Sequence, residues 1–92
     1  METIVEGIPN SLHRDISKKL VAIVLGARDR DAVPTELAKK IIYIWRQDQL
    51  ASKTGIVALL EAALIVNAEA TYTLLDELGL KKQTIALKSL HQ

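Results

Sequence analysis

The sequence predicts an all-α fold, a compact bundle of four to five short helices packed around one central apolar helix. Three observations predict it. Apolar residues recur at three- and four-residue intervals in successive segments, while the alternation of a half-buried strand is absent. Gly55 to Val66 reads GIVALLEAALIV with Glu61 as its only charge, so a helix there is apolar almost all round and belongs in the middle of a bundle. Turn and capping signals separate the helical segments, at Pro9-Asn10-Ser11, Pro34-Thr35, Ser52 and Gly79.

Length and composition bound the alternatives. A chain of 92 residues is read as a single helical domain, residues 1–92, small enough that efficient packing decides its stability. Apolar residues make up 49%, and glycine and proline together number six, which excludes a disordered or low-complexity chain. The absence of cysteine removes disulfide staples and thiolate chemistry and fits a reducing compartment, so a cytoplasmic location is expected. Met1 to Pro9 has neither the basic start nor the apolar run of a signal peptide. The central apolar run is too short to span a bilayer and carries Glu61, so no transmembrane insertion is expected. A net charge of +1 conceals segregation: residues 11–53 hold nine basic and five acidic groups, residues 54–80 hold four acidic groups and no basic one, and residues 81–92 hold three lysines.

Residues 1–10 read as a flexible lead. The first helix starts near residue 11, capped by Asn10 or Ser11, with Leu12, Ile16, Leu20 and Ile23 on its inward face. Val21, Val24 and Leu25 fall on the opposite side of its second half, Gly26 ends it, and Arg28 to Asp31 form a charged connector. Pro34 and Thr35 open the second helix, with Glu36 favourably placed near its positive end. Leu37, Ala38, Ile41, Ile44 and Trp45 line its inward arc, so Trp45 is expected in the core, whereas Tyr43 sits with Lys39, Arg46 and Gln47 on the solvent side. Ser52 caps the third helix. Asn67 is expected to cap a fourth helix from Ala68, the rival being one bent helix over 53–78. Ala68, Thr71, Leu74, Leu75 and Leu78 then face inward, and Gly79 with Leu80 stops the helix. In the last helix Ala86, Leu87 and Leu90 make one face and Ile85 another, which marks residues 81–92 as a partner-binding tail.

Enzyme chemistry finds little footing. His13 and His91 stand near opposite ends, without the spacing of a metal-binding pair, so neither metal nor cofactor is expected. Ser52-Lys53-Thr54-Gly55 lacks the spacing of a phosphate-binding loop. Glu61 is the one candidate for acid-base work, needing desolvation and a second carboxylate such as Asp76; otherwise it is a rim carboxylate on the central helix.

The sequence therefore points to a small non-catalytic protein-protein interaction module, either an accessory subunit of a larger intracellular assembly, including one acting on nucleic acid, or a homo-oligomer. The interface candidates are Val21, Leu25, Tyr43 and Ile85, apolar or aromatic groups that one core cannot cover. The alternative is an independent nucleic-acid-binding protein using a basic surface on the first two helices. Its candidates are Arg14, Lys18, Lys19, Lys39, Lys40 and Arg46, with Lys53 beyond them. The segment from Ala68 to Leu78 offers no Arg, Lys or Gln to base edges, so it is a poor recognition helix.

Overall fold

The structure, a computed structural model, describes residues 1–90; His91 and Gln92, and with them the end of the expected tail, lie outside the described residues. Five helices follow one another: α1 (Glu2–Glu6), α2 (His13–Gly26), α3 (Thr35–Arg46), α4 (Lys53–Glu77) and α5 (Lys81–Leu90). Single 3-10 turns at Asn10–Leu12 and Arg30–Ala32 punctuate the connectors, and no strand occurs among the described residues.

Helix α4 is the centre because from Gly55 to Val66 its first arm is apolar almost all round, with Glu61 as the only charge. Every residue from Gly55 to Leu60 is buried, as are Ala62, Ala63 and Leu64, and α1, α2, α3 and α5 all pack against this helix. Each fully buried leucine or isoleucine here contributes about 1.5–3 kcal/mol by leaving water. Ile16 and Leu20 of α2 meet this arm from one side, and Ile44 of α3 reaches the core from another. With a radius of gyration of 12.0 Å, the chain is as compact as its length allows. Helix α4 is, among the described residues, the one helix long and apolar enough to cross a membrane, longer than the apolar run alone suggested. Just over half of its most apolar window is buried against the rest of the chain, as in a core helix.

The ends of α4 are set by local chemistry. Ser52 Oγ accepts the Gly55 amide at 3.1 Å and donates to the Gln49 carbonyl at 2.6 Å, so the expected cap is present. Asn67 interrupts the helix with φ −162° and ψ 83°. Its Oδ1 accepts the Ala70 amide at 3.1 Å, and Thr71 Oγ1 donates to its carbonyl at 2.9 Å, which caps the second arm as a new helix start. At the far end Gly79 adopts φ +77°, its amide donating to Asp76 O at 3.0 Å while the Leu80 amide donates to Leu75 O at 2.9 Å. Both leucines are buried, so the stop is sealed by apolar contact.

The sequence reading needs several corrections. Residues 1–10 are no flexible lead: α1 forms, Val5 and Ile8 are buried in the main core, and Gln83 Nε2 of α5 donates to the Gly7 carbonyl at 3.0 Å. Neither Asn10 nor Ser11 caps α2 with its side chain; the chain enters through the 3-10 turn, and the His13 ring donates from Nε2 to the Ile8 carbonyl at 3.0 Å. Just beyond α3, Asp48 takes φ +56° in the turn where its own amide donates to Trp45 O and the Gln49 amide donates to Ile44 O. Helix α5 packs through Thr84 and Leu87, just after the buried Leu80, and leaves Leu90 exposed.

Trp45 is the largest correction. It is 63% exposed, not core. Helix α3 packs on α4 with Ile44 as its one buried residue, and no substantial backbone-level contact joins α2 to α3, so the flank that carries Trp45 is left uncovered.

Candidate protein-docking groove

Two helices that pack on a third without packing on each other leave a cleft between them. Here α2 supplies one wall with Val21, Val24 and Leu25, and α3 supplies the other with Ile41, Ile42 and Trp45. Leu59 of α4 and Leu50 of the α3–α4 connector form the floor. The cleft has a volume of about 350 Å³ and every lining residue is apolar. Each wall follows from helical spacing. Val21, Val24 and Leu25 stand at i, i+3 and i+4, and Ala38, Ile41, Ile42 and Trp45 stand at i, i+3, i+4 and i+7, a second apolar strip beside the one that faces α4.

The exposed members form a patch. Leu25 is 62% exposed and Ile42 46%, and with Trp45 they crown the two walls.

Of the four interface candidates the sequence offered, Val21 and Leu25 are brought into this groove and Tyr43 and Ile85 are not. Tyr43, 66% exposed, lies over a separate hollow with Gln47, Gln49 and Thr54. Ile85, also 66% exposed, borders a polar hollow between the second arm of α4 and α5, beside Glu69, Asp76, Lys81 and Lys88. In that hollow Lys88 Nζ stands 5.4 Å from the Tyr72 ring centroid. Among the wall residues, the sequence reading already places Val24 on one outer strip with Val21 and Leu25, whereas it misses Ile41, Ile42 and Trp45; their signal was the second strip on α3, an apolar arc wider than one neighbour can cover.

The seven basic candidates are all exposed and divide among α2, α3 and the start of α4. Arg14 and Lys18, one turn apart on α2, share a hollow of about 630 Å³ with Asp48, and this hollow adjoins the groove through Val21, Trp45 and Leu50. Lys19 is paired to Asp15 at 3.0 Å. Lys39, Lys40 and Arg46 lie along α3, and Lys53 lines a third hollow with Glu2 and Glu6, whose carboxylates oppose any phosphate there. Glu61 is half-buried on α4 and borders none of these hollows, whereas Asp76 is exposed beside α5; the two carboxylates do not share a hollow. Among the described residues no group of three or more His, Asp or Glu side chains is placed to hold a metal ion.

No protein-family model matches the chain, and no characterised protein or solved structure is significantly similar to it.

Proposed function

We propose that this chain is a non-catalytic protein-interaction module, an accessory subunit of an intracellular assembly, and that it docks through the groove between α2 and α3. One observation carries the reading: Leu25, Ile42 and Trp45 stand exposed together on two helical walls above an apolar floor, in a chain whose other large apolar groups mostly enter the core. Contiguous exposed apolar surface of this kind favours association, and tryptophan is among the residues that most often concentrate interface energy. The nucleic-acid reading draws less support, because Lys19 and Lys53 stand beside carboxylates and an apolar groove separates the two helices that carry the remaining cations.

The test uses Leu25→Asp and Trp45→Asp, each first checked by circular dichroism for retained helicity, with Ile85→Asp as an exposed control away from the groove. Native mass spectrometry and capture of stoichiometric partners from native extract are then compared with wild type. Association should be lost in both groove variants and kept in the control. Folded groove variants that retain every wild-type association would refute the reading.

A further inference from the structure

We infer that the occupant of the α2–α3 groove is an amphipathic α-helix of another protein, with carboxylates clustered beyond its apolar anchors at the end that lies over Arg14 and Lys18. The inference rests on the docking reading above and goes further by assigning the partner's chemistry.

The shape of the groove sets the first half of the assignment. Two helical walls with an unbroken apolar floor accept the apolar face of a third helix, whose anchors recur at i, i+3 or i+4, and i+7. A strand would need unpaired backbone groups to bond with, and the walls are helices whose backbone bonds are satisfied internally.

Charge sets the second half. Past Trp45 the groove continues through Val21 and Leu50 into the hollow that holds Arg14 and Lys18, where Asp48 is the lone carboxylate. Neither cation has an ion-pair partner among the described residues, whereas neighbouring Lys19 is already paired to Asp15. On the opposite wall Lys39 and Arg46 stand one turn before and one turn after Ile42, so the outer edge is basic too. Carboxylates on an incoming helix meet this rim with complementary charge, which speeds encounter and fixes orientation.

The other occupants fit less well. A second copy docked by a two-fold axis brings the same patch against itself, and the lining of that patch offers the cations of the other chain only Asp48. A nucleic acid supplies phosphates for the cations but leaves the apolar floor and Leu25 unfilled.

The experiment is a display selection from a randomised library of peptides about four helical turns long. The full chain is the target at physiological salt, and folded Trp45→Asp is the counter-target. Trp45 is the only tryptophan, so its emission reports directly on the groove. Recovered peptides should carry helical apolar spacing with Asp or Glu gathered at one end, and should shift Trp45 emission to the blue. The double variant Arg14→Glu with Lys18→Glu, verified as folded, should weaken them by at least about tenfold and strengthen their lysine-bearing counterparts. Asp48→Asn, which keeps a residue tolerant of positive φ, should tighten them. Peptides that depend on Trp45 but are basic, or indifferent to charge, overturn the inference and leave the docking reading standing. A selection that yields no Trp45-dependent peptide overturns both. Self-association abolished by Trp45→Asp, or a duplex oligonucleotide that displaces the peptides while shifting Trp45 emission, replaces the helical partner with a second copy or a nucleic acid and overturns the inference as well.

Discussion

The Ser17 hydroxyl of α2 donates to the backbone carbonyl of Leu50 at 2.9 Å, joining residues 33 apart in sequence. Ser17 is buried, and Leu50 supplies part of the groove floor, so this bond holds the α3–α4 connector against α2 at the place where the groove meets the basic hollow. Ser17→Ala leaves a carbonyl without its partner and should lower unfolding free energy by about 1–2 kcal/mol in denaturant titrations. A cost indistinguishable from zero would mean that water replaces the hydroxyl without penalty.

The same connector explains Gly55. A β-carbon there would stand 2.6 Å from the Leu50 carbonyl oxygen and closer still to that of Gln49, both backbone atoms that cannot swing aside. Gly55→Ala should therefore destabilise by roughly 1–3 kcal/mol. Gly26 is the contrast: its surroundings are open, its φ is not positive, and it closes α2. Gly26→Ala should be neutral or stabilising by up to about 1 kcal/mol, through a less flexible unfolded chain. Equal effects at the two sites, read from thermal melts, would contradict this assignment of close approach.

Leu60 is wholly buried on the first arm of α4. Leu60→Ala should cost roughly 2–5 kcal/mol through lost burial and the cavity left behind. A loss under about 1 kcal/mol would be incompatible with a central position.

At the break in α4, Asn67→Ala removes the Oδ1 acceptor for the Ala70 amide and should cost about 1 kcal/mol, while Asn67→Asp keeps an acceptor and most of the stability. Chemical denaturation of the two variants side by side checks the ranking; a more stable alanine variant would show that a continuous helix is the better state.

Direct nucleic-acid binding by the isolated chain should be weak and non-specific at physiological salt. Any binding at low salt should fall steeply as salt rises, and replacing Lys39, Lys40 and Arg46 together should weaken all sequences about equally. Nanomolar binding to a duplex at physiological salt, measured by anisotropy, would restore the alternative function.

What could be read from sequence was what neighbouring residues decide among themselves. Ser52, Asn67 and Gly79 act on amides and carbonyls within a turn of their own positions, so their roles are visible without a fold. Asp48 was missed because aspartate tolerates positive φ without announcing it as glycine does. Val5 and Ile8 are too few for a periodic pattern, and their burial depends on α4 and α5 being in place. Trp45 is the same problem in reverse. The period of α3 allows either of two overlapping strips to face inward, and the choice is made by how α3 sits on α4, a fact about another helix. Half of the groove was thus legible, in Val21 and Leu25, and the half on α3 was hidden by assigning its tryptophan to the core.

The bond from Gln83 to the Gly7 carbonyl bridges 76 residues, and α1 also packs on both α4 and α5. Bringing such distant segments together carries the largest loop-closure entropy in the chain and is rewarded only after α4 has formed. The two ends are therefore expected to form late and open early as one cooperative unit. Amides of α1 and α5 should exchange with solvent at a common rate, faster than those of α2 and the first arm of α4, and a lesion at Val5 should deprotect Leu87 as readily as its own neighbours.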